Sequence, residues 1–452
     1  MKAINELKLG ALPLILNKQL LDSEEVQRER SRFPKQAVIG LGQGGGRIAA
    51  ELSRFGMDTF LVNSSKSDME EHRDLIPADR RIVTKSEKHP NLEGTDKNAQ
   101  LGFNIAVENK DIYMDLARKP EITEAEFVWL SVSLGGGTGN GALKVALSYL
   151  SQVRKKVASL PDGKVTLGVI CSLPSSDEKG TSFRRNALAG VSVLQNLINE
   201  KKIGNVLVID NEKIRNYYDE KALETKNKTQ IDAKSYSNMV VTSSIVEVST
   251  IPLLNGRSVL DKTELLSTYS TPGWSSISKV NGLKEENKLE GVIESLFKDN
   301  EVLANYDYKE DTRALAGAVA VLYPSRNNID PRIADSIYTI SADFLQSKVN
   351  HAIANVNKLE SITVYGLSVL STPPTRIQQL REELKQWEQI EKEIEEKQKA
   401  DALSLGLDEF NDFFTVDNEE TSKSMDEFSF EDEFGSDKPA KKVDLADLKD
   451  DF

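Results

Sequence analysis

An α/β fold built on a doubly wound, mainly parallel sheet is predicted by three features of this 452-residue sequence. Its strand-length apolar runs are continuous rather than alternating, as in strands covered on both faces. Those runs alternate with helix-length segments five times through the first half of the chain. Glycine-rich turns stand where strand gives way to helix, the position at which such sheets bind ligands.

Residues 1–33 read as an amphipathic helical extension, with Leu7, Leu9, Leu14, Ile15, Leu16, Leu20 and Leu21 ahead of a charged segment through Arg32. The apolar stretch Ala11 to Leu16 is broken by Pro13 and is too short to span a bilayer or to serve as a signal segment. No membrane insertion is expected. A single cysteine, Cys171, sits in an apolar run, so no intrachain disulfide can form and a cytoplasmic location is expected.

After Pro34, Gln36 to Gly40 predicts the first strand, and Gly42, Gln43, Gly44, Gly45 and Arg47 lie in the turn and helix start that follow. Gly40, Gly42 and Gly45 satisfy G-x-G-x-x-G, which raises a nicotinamide-dependent oxidoreductase as an alternative class. Such an enzyme wants an acid at the end of the next strand to hold the ribose. That strand, Thr59 to Val62, ends in Asn63. Further on, Gly94 and Asn98 precede a helix start, where Asn98 reads equally as an anion-binding residue or as an ordinary N-cap.

The sharpest stretch is Gly135, Gly136, Gly137, Thr138, Gly139, Asn140 and Gly141, between the apolar strand Phe127 to Leu130 and the helix beginning near Ala142. Five glycines in seven residues let backbone N–H groups approach a ligand at a helix N-terminus, an arrangement suited to phosphate. A merely flexible glycine loop is the alternative. Val165 to Cys171 predicts another strand, followed by Pro174 and Glu178 and then a helix carrying Arg184 and Arg185. Asn205 to Ile209 predicts one more, leading to Asn211. Tyr236 to Ile251 is rich in Val, Ile and Thr and reads as strand on propensity.

In the second half, the strands Ala314 to Tyr323 and Ser361 to Val369 flank a stretch from Ile333 to Val356 expected to be helical, and together suggest a second α/β domain. His72, His89 and His351 lack ligand spacing, so no metal cluster is expected. Thr375-x-x-Gln378 reads as a capping box opening a long helix, striped by Ile377, Leu380, Leu384, Trp387 and Ile394, that either crosses to a neighbour or lies back on its own chain. From Leu407 to Phe452 the chain has 16 acidic and 5 basic residues, which accounts for most of the net charge of −13. This tail, studded with phenylalanines, is expected to be disordered and to fold on a partner. An acidic tail on a nearly neutral body argues against direct nucleic-acid binding, and none is expected.

The glycine run resembles the signature loop of the tubulin/FtsZ superfamily, G-G-G-T-G-S/T-G, with Asn140 at the hydroxyl position. Further resemblances lie in the first loop from Gly40 to Ile48, in Asn63, in the N-x-x-x-G of Asn98 and Gly102, and in Ile209 to Lys213, which is similar to I-x-N-D/E-K. The resemblance covers about residues 35 to 375. It implies a GTPase that binds GTP or GDP with Mg²⁺ and polymerises head to tail with itself. It implies that Pro174 and Glu178 lie near the ribose, that Arg185 or Arg184 contacts nucleotide, and that Asn211 and Asn238 read guanine with Tyr236 stacked on it. It makes Tyr236 to Ile251 a buried central helix rather than a strand. The N-x-D-x-x-D/E loop of the family, which completes the neighbouring subunit's site, is matched by the acids Asp261 and Glu264. On residues alone, these two read as a helix N-terminal pair.

The expected order is an extension (1–33), a GTP-binding domain (34–230), a central helix (231–251), a second domain (252–373), a long helix (374–406) and the acidic tail (407–452). The N-terminal extension, Asn140, the lengthened loop before Asp261 and the long C-terminal helix favour the plasmid- and phage-segregating TubZ type over cell-division FtsZ. That type implies a DNA-binding adaptor held by the C-terminal tail.

Overall fold

A computed structural model describes residues 20–157, 160, 162–220, 232–283, 289–309, 312–328 and 331–404. Most of the expected N-terminal extension and the acidic tail lie outside the described residues. In chain order the strands are β1 (Gln36–Leu41), β2 (Asp58–Asn63), β3 (Arg81–Val83), β4 (Phe127–Ser133), β5 (Leu167–Leu173) and β6 (Asn205–Asp210). They continue as β7 (Gly256–Ser258), β8 (Gly273–Leu283), β9 (Ala316–Pro324), β10 (Val349–Val356) and β11 (Ile362–Leu370).

All eleven join one sheet in the order β3-β2-β1-β4-β5-β6-β8-β11-β9-β10-β7. From β3 to β8 every pairing is parallel. β11 then runs antiparallel to both β8 and β9. The strands of the expected second domain thus extend the first sheet, because β8 pairs with β6 over Asn205–Leu207. Every residue of β1, β5, β6 and β11 is buried, which explains why their sequences show no alternation.

The order β3-β2-β1-β4-β5-β6 reverses direction between β1 and β4. Connections leaving those two neighbouring strands diverge, and a crevice opens at their carboxyl ends. β1 leads directly into the helix Gly42–Ser53, and β4 leads through the glycine run into Thr138–Val157. Both glycine-rich segments therefore border the same crevice.

The run after Asp232 is a helix, Ala233–Thr250, against its propensity. Asp232 starts it by accepting from the backbone N–H groups of Lys234 and Ser235, both at 3.0 Å. Every residue from Val240 to Thr250 is buried, so packing on several sides replaces the preference of its β-branched residues. The expected helix over 333–356 is corrected: the helix Pro331–Leu345 ends there and β10 follows. Gln346 adopts φ 46°, a left-handed residue that stops a helix, and Val349 to Val356 pairs in parallel with β9.

The long helix spans Arg376–Ser404. Thr375 does not form the expected capping box; its hydroxyl donates instead to the Asn305 carbonyl at 3.3 Å. Ile377 and Leu380 are buried in the first turn, whereas Ile390 and Ile394 are exposed.

Candidate nucleotide site

Gly42 takes φ +64°, and a Cβ there would stand 2.8 Å from the Gly139 nitrogen. The loops after β1 and β4 touch only because neither residue has a side chain at that point. At Gly137 a Cβ would lie 2.2 Å from Thr95 Oγ1, so the segment before Ala99–Glu108 packs on the same glycine run. The three segments enclose a cavity of about 720 Å³.

The helix Gly42–Ser53 begins within the lining, and no side chain caps its first N–H groups. Thr138 and Gly139, at the start of Thr138–Val157, line it too. Two helix N-termini with their positive dipole ends therefore face one space. The third wall, Gly94 to Lys97, is held in left-handed backbone: φ is 84° at Gly94, 43° at Asp96 and 63° at Lys97. Non-glycine residues rarely adopt that region and do so where surrounding contacts enforce it. Here Asn186 Nδ2 donates to the Lys97 carbonyl at 2.7 Å and to the Gly135 carbonyl at 3.1 Å, tying two of the loops together.

Side-chain chemistry at this end is oxygen-rich. Thr138 Oγ1 lies 2.8 Å from Ser64 Oγ and 3.2 Å from Thr95 Oγ1. Asp68 accepts from Gln43 Nε2 at 2.9 Å and from Asn63 Nδ2 at 3.1 Å. Arg47 faces the cavity and pairs with Glu71 at 3.1 Å. At the other end stand Glu178, Asn211, Ser237, Asn238 and Val241. The Glu178 carboxylate accepts from the Ser175 N–H at 2.9 Å. Burial nonetheless raises its pKa above the ordinary carboxylate value. A side-chain amide offers donor and acceptor together, as an edge of a nucleobase does.

Of the residues singled out in the sequence, Gly42, Gln43, Gly44, Arg47, Asn63, Gly94, Gly136, Gly137, Thr138, Gly139, Glu178, Asn211 and Asn238 line this cavity. The others lie outside the lining. Gly45 packs on the β4 backbone, and Gly135 on Pro174 and Phe183. Asn98 caps its helix by accepting from the Leu101 N–H at 2.9 Å. Asn140 turns to the Asn186 carbonyl at 2.7 Å. Tyr236 is buried against Tyr218, ring centroids 5.4 Å apart. Arg185 is exposed, and Arg184 is the buried one, donating to the Ser175 carbonyl at 3.2 Å.

Asp261 and Glu264 lie outside the lining and form a reciprocal capping box on the helix Lys262–Tyr269. Asp261 Oδ1 accepts from the Glu264 N–H at 2.7 Å, and Glu264 Oε2 from the Asp261 N–H at 3.1 Å. Asp68, Asp96, Lys97, Arg215 and Lys234 are lining residues that sequence reasoning missed. Asp96 and Lys97 stood in a segment already singled out, but only their backbone conformation turns them inward. Among the described residues, no cluster of His, Cys, Asp and Glu is arranged to hold a metal by itself. No described helix is long and apolar enough to cross a membrane.

A Rossmann-ordered sheet, a G-G-G-T-G loop at its switch point and a buried linking helix make up a tubulin-like fold, and the chain is similar to proteins of the tubulin/FtsZ superfamily. Within it, the chain is similar to TubZ of Bacillus cereus, 24% identical over 283 residues, covering 59% of this chain and 60% of that protein. CetZ4 of Haloferax volcanii is 27% identical over 262 residues, covering 56% and 61% respectively. FtsZ of Helicobacter pylori is 24% identical over 335 residues, covering 73% and 76%. The first two matches thus span less than two thirds of those relatives' length. Among solved structures, a GTPγS-form protofilament of Bacillus thuringiensis serovar israelensis TubZ superposes with a TM-score of 0.66 at 21% identity, over 80% of this chain and 94% of that one. A GTPγS-bound protofilament of Haloferax volcanii CetZ2 gives 0.60 at 18% identity, over 79% and 99%. No family model matches the chain.

Proposed function

We propose that this protein is a cytoplasmic, tubulin-like GTPase that polymerises head to tail. The observation that carries the reading is the convergence of two helix N-termini and glycine backbone at one end of the cavity, with Asn211 and Asn238 at the other. The first end suits a polyphosphate, the second a guanine edge, and the two are enclosed in one space of nucleotide size.

In this reading the N–H groups of Gly42 to Gly44 and Gly136 to Gly139 hold the phosphates, and Thr138 donates its hydroxyl. Glu178 accepts from a ribose hydroxyl. The oxygen-rich lining fits a hard cation, and Mg²⁺ entering with GTP would neutralise phosphate charge, with Asp68 and Asp96 among the carboxylates that line the cavity. The acids Asp261 and Glu264 of the next subunit orient the attacking water. Their capping box supports this role, since each carboxylate is held in place through one oxygen and has the other to offer.

GTP hydrolysis per subunit, measured against protein concentration alongside light scattering, tests the proposal. A threshold above which both rise together is expected. Turnover that is independent of concentration and free of scattering would refute the shared site.

The TubZ matches favour a role in moving plasmid or phage DNA, with residues 407–452 holding a basic DNA-binding adaptor. Removing residues 408–452 is expected to abolish adaptor binding and leave turnover intact. The FtsZ match, which reaches over more of the chain, supports cell division as the second reading. The expected domain boundaries at 34–230, 231–251 and 252–373 belong to the same proposal.

A further inference from the structure

Arg376 is 3% exposed although it opens a long polar helix. Its Nη2 donates to the Pro174 carbonyl at 3.0 Å, and its Nε stands 3.5 Å from Asp210 Oδ1. Pro174 begins the loop that brings Ser175, Asp177 and Glu178 into the cavity lining. Asp210 ends β6 and directly precedes Asn211, which lines the cavity as well. One guanidinium thus bridges the two segments that form the ribose and base end.

The bridge is itself anchored. The N–H of Thr375 donates to the Asn305 carbonyl at 3.0 Å. Lys213, two residues past Asn211, donates its ammonium to the Asn305 side chain and to the Glu301 carbonyl. The N–H of Asp210 donates to the Leu303 carbonyl at 2.8 Å. Residues 301–305, 375–376 and 210–213 are therefore linked behind the base end by hydrogen bonds and the Arg376–Asp210 ion pair. A planar guanidinium can serve two divergent acceptors at fixed geometry, which an ammonium on a flexible stem cannot.

We propose that Arg376 is a positioning residue for nucleotide selectivity: by holding the Pro174 carbonyl and Asp210 together, it fixes Asn211 relative to the ribose loop. It touches no nucleotide itself, and the inference rests on the nucleotide reading of the cavity. The phosphate end is built on other segments, so loss of Arg376 weakens base reading first.

The test uses the full chain, with Arg376→Lys and the double variant Arg376→Met with Asp210→Asn, which removes both members of the ion pair. Calorimetry gives Kd for GTP and for ITP, which differ only at the guanine amino group. The expected result is that GTP binds about tenfold more weakly in both variants and that the ITP-to-GTP ratio of Kd falls by about threefold or more. A GTP affinity within about twofold of the parent, or an equal loss for both nucleotides with the ratio unchanged, overturns the proposal. Should the double variant fail to fold, Arg376→Lys decides alone. Failure of the parent to bind GTP defeats the nucleotide reading and this inference with it; a binding parent with unaffected variants defeats this inference only.

Discussion

The Lys279 ammonium of β8 donates to the Glu247 carboxylate of the central helix across 2.6 Å, with the two side chains only 5% and 1% exposed. Tyr365 of β11 donates its hydroxyl to the same carboxylate at 2.8 Å, and its ring lies 4.9 Å from the Lys279 nitrogen. Burial lowers the Lys279 pKa and the carboxylate opposes that shift. The helix that presents Asn238 to the cavity is thereby fastened, near its other end, to the antiparallel half of the sheet.

Removing the carboxylate leaves an ammonium buried without compensation. Glu247→Ala is expected to lower the unfolding free energy by about 3–5 kcal/mol in urea titrations. Glu247→Gln with Lys279→Met should recover most of that loss. Equal stability of Glu247→Ala and the parent would remove the pair from any structural role.

Glu264 has two separable jobs in this reading. Glu264→Ala is expected to bind GTP and form longer-lived filaments, with turnover reduced roughly 10²-fold. Glu264→Gln preserves an acceptor for the Asp261 N–H, so it should keep the cap and still lose turnover. Full turnover in Glu264→Gln would move the acid–base role to Asp261.

Gly42→Ala forces a side chain into left-handed backbone and against Gly139. Strain of about 1–3 kcal/mol at the phosphate wall should weaken GTP binding by roughly ten- to hundredfold, read by titration of a fluorescent analogue. The same substitution at Gly56, which has φ +84° but open space around it, should leave binding unchanged.

Glu178 gives the nucleotide-free protein a pH dependence. Its folded pKa is raised by burial above the ordinary 4.5, so the folded state keeps its proton to higher pH than the unfolded chain. The resulting stability is fully present below about pH 4.5 and is lost as pH rises through the folded value. Glu178→Gln, which cannot titrate, should gain on the parent as pH rises through that window in chemical denaturation. A stability difference that stays flat with pH would show that Glu178 titrates normally.

Much of the site was legible because it is local. The strand, glycine turn and helix at Gln36 to Ser53 and at Phe127 to Val157 are contiguous in sequence, and their composition is set by backbone approach. Glycine can be recognised from sequence wherever only glycine fits. The apolar runs of β1, β4, β5 and β6 were legible for a similar reason, since burial on both faces leaves no polar position to confuse them.

Tertiary structure decided what depends on partners distant in the chain. The Val- and Thr-rich segment Ala233–Thr250 is helical because its surroundings bury it, while Val349–Val356 is a strand because β9 offers an open edge and Gln346 stops the preceding helix. Arg154 looks like one of the basic residues ending a helix, yet it is fully buried, its guanidinium bonded to the carbonyls of Ile122 and Ala125 at 2.8 Å. Asp68, Lys97 and Arg376 carry no motif. The sequence by itself determined where glycine must bend the backbone and where strands must be buried on both faces, because those constraints act within a few residues. Which charged and polar side chains meet around the cavity was left to the fold, because their partners lie tens to hundreds of residues away.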